Sequence, residues 1–379
     1  MMTQTTECAG INELINTCKM PIPARHQLSD YLSNCDKITI YGAGNLGRCI
    51  YDILSASHYD VSEFIDKNED RYPDGQRGKN VYSLQDFPRI PDENDVAILS
   101  VMLTRDEYTL VEEQLKEKGF KYIISGYLLF WDLRFAKEQT EIVHSEFIQE
   151  KIKEVYGFME DDESRRIFAQ TLTAHVLGEY GDTVCDWDLI QYIRPNVPLR
   201  KGYKRFVDVG AFFGDTLDAL ITNEAYVEEY YAFEPDPGSY QRLNENFPTY
   251  QDKIGKAALI PLALSDKNGS MTFSDDGTGT SALSESGRIV VTTARMDDVL
   301  RNINPTIIKM DIEGAELSAL TGARRIISET QPDLAICVYH KLSDLWDIPL
   351  LLKEYVPQYK FWLRSHWFYT LETVLYATV

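Results

Sequence analysis

The chain has 379 residues, 44% of them hydrophobic, with 38 Lys and Arg against 59 Asp and Glu for a formal charge of −21. That length predicts more than one hydrophobic core, and the acidic balance argues against nucleic acid or an anionic membrane as partner, since both require a surplus of Lys and Arg. Cys8, Cys18, Cys35, Cys49, Cys185 and Cys337 form no C-x-x-C pair, the start Met1 to Thr6 carries no targeting pattern, and no run reaches the roughly 18 apolar residues of a membrane span, so no membrane insertion and a reducing, cytoplasmic location are expected.

Residues 1–36 read as an N-terminal arm broken at Met20-Pro21-Ile22-Pro23. Over 37–135 a β/α alternation predicts a Rossmann-like domain of nucleotide-binding type. Its strands are Lys37 to Tyr41, Val61 to Asp66, Asp95 to Val101 and Phe120 to Ser125, and its helices Leu46 to Ser57 and Asp106 to Lys118. Residues 136–202 turn helical and charged, as in Glu146 to Tyr156 and Glu163 to Leu177, and end at Arg194-Pro195-Asn196-Val197-Pro198; they read as a helical connector. A second alternation fills 203–379. Its strands are Arg205 to Val209, Glu229 to Phe233, Leu259 to Leu264, Thr306 to Met310 and Asp333 to Val338, interleaved with helices at Thr216 to Thr222, Gly238 to Asn246, Ala315 to Ser328 and Leu345 to Tyr355. Lys360 to Arg364 and Thr373 to Ala377 then predict an antiparallel hairpin closing the sheet. Met271-Thr272-Phe273 and Ile289-Val290-Val291 predict an inserted hairpin with a polar tip at Asp275 to Gly287, placed to act as a lid. The fold class is therefore α/β with two Rossmann-like domains.

In the first domain Gly42-Ala43-Gly44-Asn45-Leu46-Gly47 follows a strand and opens a helix, and Asp66 ends the next strand. Gly42, Gly44 and Gly47 in that context suit a pyrophosphate, and Asp66 a ribose hydroxyl. No Tyr is followed four positions later by Lys, which favours nucleotide or nucleotide-sugar binding without dehydrogenase or epimerase chemistry. The other reading of the loop is packing of helix on strand. In the second domain the corresponding loop, Asp208-x-Gly210-x-x-x-Gly214 followed by Asp215 and Thr216, is bracketed by carboxylates that a pyrophosphate would avoid and a cationic cofactor would welcome. Glu234 ends the second strand, placed to accept two ribose hydroxyls, and Pro235-Asp236-Pro237 makes a rigid turn to flank an adenine. These residues point to S-adenosylmethionine.

The run Asp208-Val209-Gly210-Ala211, then Phe233-Glu234-Pro235, then Leu262-Ala263-Leu264-Ser265-Asp266, then Ile308-Lys309-Met310-Asp311-Ile312-Glu313-Gly314-Ala315-Glu316, resembles the FkbM family of S-adenosylmethionine-dependent methyltransferases, mostly O-methyltransferases. The resemblance covers about Tyr203 to Val379. It implies a class I methyltransferase sheet in which the strands ending at Asp208 and Asp311 are neighbours. It further implies cofactor contacts from Asp208, Gly210, Glu234 and, beside the adenine, Ser265 and Asp266, and a saccharide or other small-molecule acceptor; Gly214, Asp215, Thr216, Asp236 and Asp311, read from the loops themselves, are further cofactor candidates. In that strand order Val338-Tyr339-His340 ends beside Asp311, making His340 the first candidate for general base and Asp311 its partner. Asp311, Glu313 and Glu316 could bind a divalent metal, but acids at a helix N-terminus are favoured for dipole and capping reasons alone, so no metal is expected. Trp362, His366, Trp367, Phe368 and Tyr369 are candidates for stacking on a sugar ring. The composition leaves a homo-oligomer open. The rival to a methyltransferase is a nucleotide-sugar- or NAD-binding regulatory protein working through the N-terminal loop.

Overall fold

The computed structural model of the protein describes residues 32, 34–101, 105–126, 129, 145–177, 191–193, 196–274, 282–283, 289–367 and 372–379. Almost all of the N-terminal arm, and the lid expected at Asp275 to Gly287 apart from Ala282–Leu283, lie outside these residues, as do Phe368 and Tyr369.

Strands β1 (Ile38–Tyr41), β2 (Val61–Ile65), β3 (Val81–Tyr82), β4 (Val96–Leu99) and β5 (Tyr122–Ser125) form an all-parallel sheet in the order β3-β2-β1-β4-β5. β1 and β4 are buried throughout, as central parallel strands with helices on both faces must be. The order reverses between β1 and β4, so the loop at Gly42 opens onto the switch point. Only the two-residue β3 is unforeseen by the alternation.

The second sheet is built from β6 (Arg205–Val209), β7 (Glu229–Phe233), β8 (Lys256–Ile260), β13 (Ile307–Met310), β14 (Asp333–Cys337), β15 (Lys360–Ser365) and β16 (Thr373–Thr378), in the order β15-β16-β14-β13-β6-β7-β8. β16 runs antiparallel to both β14 and β15, which is the expected closing hairpin. β6 and β13 are parallel neighbours with Asp208 opposite Lys309, and their ends form the switch point.

Three departures have physical causes. The strand expected over Leu259 to Leu264 divides at Pro261, which has no N–H to give a ladder; Ala263–Leu264 (β9) instead joins β10 (Gly269–Ser274), β11 (Ala282–Leu283) and β12 (Ile289–Ala294) in a small mixed sheet. The helix expected over Ala315 to Ser328 breaks into Glu316–Thr321 and Arg324–Thr330. There the carboxylate of Asp297 accepts the Arg325 and Ile326 amides, supplying a cap from a neighbouring segment. The third departure corrects the connector. Helices Glu146–Phe158 and Asp162–Leu177 bury Ile152, Val155, Ile167, Phe168 and Leu172 in the same core as Ile308, Ile336, Leu363 and Leu375. Ion pairs from Arg364 to Asp161 and Glu163 and from Lys151 to Asp347 fasten them there. They are a layer of the C-terminal unit.

Candidate active site

The loop after β6 is anchored from below. Asp208 is completely buried; its carboxylate accepts the Tyr230 hydroxyl at 2.9 Å and lies 3.2 Å from the Lys309 ammonium, which donates to the Gly210 carbonyl at 2.6 Å. Burial works against the Lys309 charge, but Asp208, Asp311 and Asp215 outweigh it and hold the ammonium protonated. Asp208, expected as a cofactor contact, thus braces the floor of the loop. Lys309 escaped assignment from sequence, although a lysine inside the apolar run Ile307–Met310 signals a buried carboxylate partner.

Gly210 has φ 77, and a Cβ there would stand 1.8 Å from the Asp311 carbonyl, so the two strand-end loops touch through a position that only glycine allows. Gly214 is the left-handed N-cap of helix Asp215–Thr222; Asp215 is exposed on its first turn, whereas Thr216 is turned into the protein.

Glu234 lies at the end of β7 facing this loop. One carboxylate oxygen accepts the Phe212 amide and the other the Asp236 amide, each at 2.8 Å, and each keeps a lone pair for a further donor. Burial, reinforced by Asp236, lifts its pKa to about 7 against the pull of those amides. Asp236 itself caps helix Pro237–Asn246 by accepting the Ser239 amide at 2.7 Å, so its carboxylate has a structural task. Ser265 and Asp266 are tied to helix Glu316–Thr321 through Ser318, whose hydroxyl donates to Asp266 at 3.1 Å and accepts the Asp266 amide at 3.1 Å. That joins the turn after β9 to the Asp311 to Glu316 segment.

Asp311 and His340 do converge at neighbouring strand ends. His340 is buried; Nδ1 is 2.8 Å from Glu316 Oε1, and Nε2 is 3.5 Å from both Asp311 Oδ1 and Glu313 Oε2. Glu316 also accepts the Ile312 amide at 2.9 Å, and the Tyr192 hydroxyl donates to Asp311 Oδ2 at 3.1 Å. Glu313 and Gly314 adopt φ 58 and 95, a left-handed turn that aims the Glu313 carboxylate at His340. Glu313 thus lies in the turn before the helix, which starts at Glu316. Burial alone would lower the His340 pKa, but Glu316, Glu313 and Asp311 push it up to about 10. Those three carboxylates therefore favour a proton on the ring. Trp362 and His366 are core side chains, the latter with Nε2 3.0 Å from the Tyr376 hydroxyl, so neither offers a stacking face.

In the N-terminal unit both oxygens of Asp66 accept backbone amides, from Ala43 and Asn68, at 2.8 Å each. A Cβ on Gly47 would lie 1.8 Å from the Gly42 carbonyl, a packing requirement of helix on strand. Gly44 differs: a Cβ there meets nothing within 4 Å, and φ is −71. Packing explains Gly47, whereas Gly44 is the N-cap of helix Asn45–Ala56 and stands open.

Residues 208–365 match the family model of the Methyltransferase FkbM domain. Over 155 residues the chain is 30% identical to the hexuronic acid methyltransferase AglP of Haloferax volcanii, covering 39% of this chain and 60% of that protein, so it spans less than two thirds of this curated relative. The crystal structure of methyltransferase FkbM from Methylobacillus flagellatus KT aligns with a TM-score of 0.69 and 20% identity, covering 98% of this chain and 99% of that one; this likeness establishes the fold.

Proposed function

Given that residues 208–365 are a methyltransferase FkbM domain, we propose that the protein is an S-adenosylmethionine-dependent O-methyltransferase acting on a hydroxyl of a saccharide or saccharide-containing precursor. The observation that carries the cofactor is Glu234: a buried carboxylate at a strand end, braced by two amides and with a lone pair left on each oxygen, fits a ribose diol. The saccharide class is supported by the relative that methylates a hexuronic acid.

S-adenosylmethionine, when bound, supplies a methyl group on a positively charged sulfur. The chain's residues then have two tasks. The loop from Gly210 to Gly214 and Glu234 hold the adenosyl part against the β6 and β7 ends. The rim formed by Asp311, Glu313 and His340 receives the acceptor, which must bring its oxygen to about 3 Å from the methyl carbon, in line with the bond that breaks. Asp311, whose backbone carbonyl adjoins Gly210, takes the hydroxyl proton, while His340 positions it. A reducing, cytoplasmic placement fits Cys35, Cys49 and Cys337, which form no disulfide among the described residues. Calorimetry with S-adenosylmethionine tests the reading: Glu234→Ala should weaken binding by about 1.5–3 kcal/mol, the scale of hydrogen bonds to a charged group, and unchanged affinity in a folded variant would remove Glu234 from the site.

Gly44 favours a second ligand, a nucleotide or nucleotide sugar, at the N-terminal loop. Its open position lets a pyrophosphate approach the backbone, as the middle glycine of such a loop does. On this reading residues 37–135 bind and residues 145–379 catalyse.

A further inference from the structure

Asp311, Glu313 and His340 each present one ligand atom, and these atoms all lie within 4.8 Å of one another. We propose that they hold a divalent cation of the Mg²⁺/Mn²⁺ class at the methyl-transfer point, with an oxygen of the acceptor completing its coordination. The inference rests on the reading of this rim as the acceptor site, and it replaces the sequence-based expectation of a metal-free cluster.

Three features of the geometry carry it. His340 Nε2 is buried without a hydrogen-bond partner, and it points between two carboxylate oxygens at 3.5 Å each. That is longer than a charge-assisted hydrogen bond of about 2.7–2.9 Å, and it is short enough for one ion to sit about 2.0–2.2 Å from each atom. The opposite ring nitrogen is held at 2.8 Å by Glu316, itself fixed by the Ile312 amide; a carboxylate behind an imidazole in this way orients a metal-ligating histidine. Asp311 Oδ1 is likewise buried and unpartnered, its other oxygen being occupied by Tyr192. Three carboxylates around one imidazole leave excess negative charge out of water; a divalent cation neutralises it and, on binding, displaces the Nε2 proton to solvent. Two carboxylates and one imidazole suit Mn²⁺, with Mg²⁺ the harder alternative. The left-handed turn at Glu313 gains a reason, since it is what brings the second carboxylate to the site.

The test uses the full chain and Mn²⁺ alone, followed by electron paramagnetic resonance. A single saturable site is expected, its pulsed spectrum showing coupling to an imidazole nitrogen, and Glu313→Gln should weaken it roughly tenfold or more. Glu313→Gln should keep its S-adenosylmethionine affinity within about twofold, which shows that it folds. No saturable Mn²⁺ site, a bound ion without nitrogen coupling, or binding indifferent to Glu313→Gln in folded protein overturns the proposal. Methyl transfer that continues in excess chelator does so as well, while leaving the methyltransferase reading intact. Failure of the unaltered chain to bind S-adenosylmethionine would instead strike that reading, and the manganese titration is read without it.

Discussion

Replacing Lys309 with methionine should destabilise the protein and loosen the cofactor loop by separable routes. The ammonium is 3% exposed and stands 3.2 Å from the fully buried Asp208 carboxylate. Removing it leaves that carboxylate only the Tyr230 hydroxyl, at 2.9 Å. Breaking a buried pair from one side costs about 3–5 kcal/mol, most of it the charge left without compensation. Lys309 also donates to the Gly210 carbonyl at 2.6 Å, a loop anchor that Asp208 cannot replace. The double variant Lys309→Met with Asp208→Leu should therefore regain much of the lost stability, because no charge is stranded, yet bind S-adenosylmethionine as poorly as the single variant. Urea unfolding followed by tryptophan fluorescence gives the first quantity and titration calorimetry the second. A loss below about 1 kcal/mol for Lys309→Met, or a double variant whose affinity recovers with its stability, would show that the lysine neither compensates Asp208 nor anchors the loop.

The remaining predictions are briefer. Glu234, raised to about 7, is protonated in the folded protein below that pH; the ionised form, which accepts both ribose hydroxyls, prevails above it, so S-adenosylmethionine affinity should rise as pH passes upward through about 7 and the rise should vanish in Glu234→Gln. The sign for stability is opposite: a carboxyl whose folded pKa exceeds its ordinary 4.5 contributes stability below that value, and the contribution is lost as pH climbs from there through about 7. A fragment beginning near Arg200 should aggregate, whereas one beginning just before Ser145 should fold and bind S-adenosylmethionine, since Ile152, Val155, Phe168 and Leu172 belong to its core; calorimetry on both decides. Gly47→Ala should destabilise the N-terminal unit, whereas Gly44→Ala should leave melting unchanged and abolish the thermal shift given by a nucleotide or nucleotide sugar, and equal behaviour of the two would remove the case for a ligand there.

The strand ends were legible in the sequence because each closes an apolar run: Asp208, Glu234, Asp311 and His340 all stand where the alternation puts them. What surrounds them was less so. The pairing of Asp208 with Lys309 was hidden, because the parallel register that sets them opposite each other is a long-range pairing that spacing along the chain does not display. Glu313 reads as a helix-start acid because its left-handed φ has no signature beyond the following Gly314. Its carboxylate, with those of Glu316 and Asp311, then raises the His340 pKa, which nothing along the chain displays. The helices Glu146–Phe158 and Asp162–Leu177 read as a connector because both carry charge and the proline-set boundary at Pro195 and Pro198 follows them, while the partner of their apolar faces, β15, comes nearly two hundred residues later.

The central claim is methyl transfer to a saccharide oxygen through a cofactor held by Glu234. Its most direct test is mass spectrometry of saccharide acceptors incubated with the unaltered chain and S-adenosylmethionine carrying a carbon-13 methyl group. The label should appear as a methyl ether on a saccharide oxygen and be lost with Glu234→Ala; label that goes only to nitrogen or carbon, or transfer undiminished in a folded Glu234→Ala chain, would contradict the account.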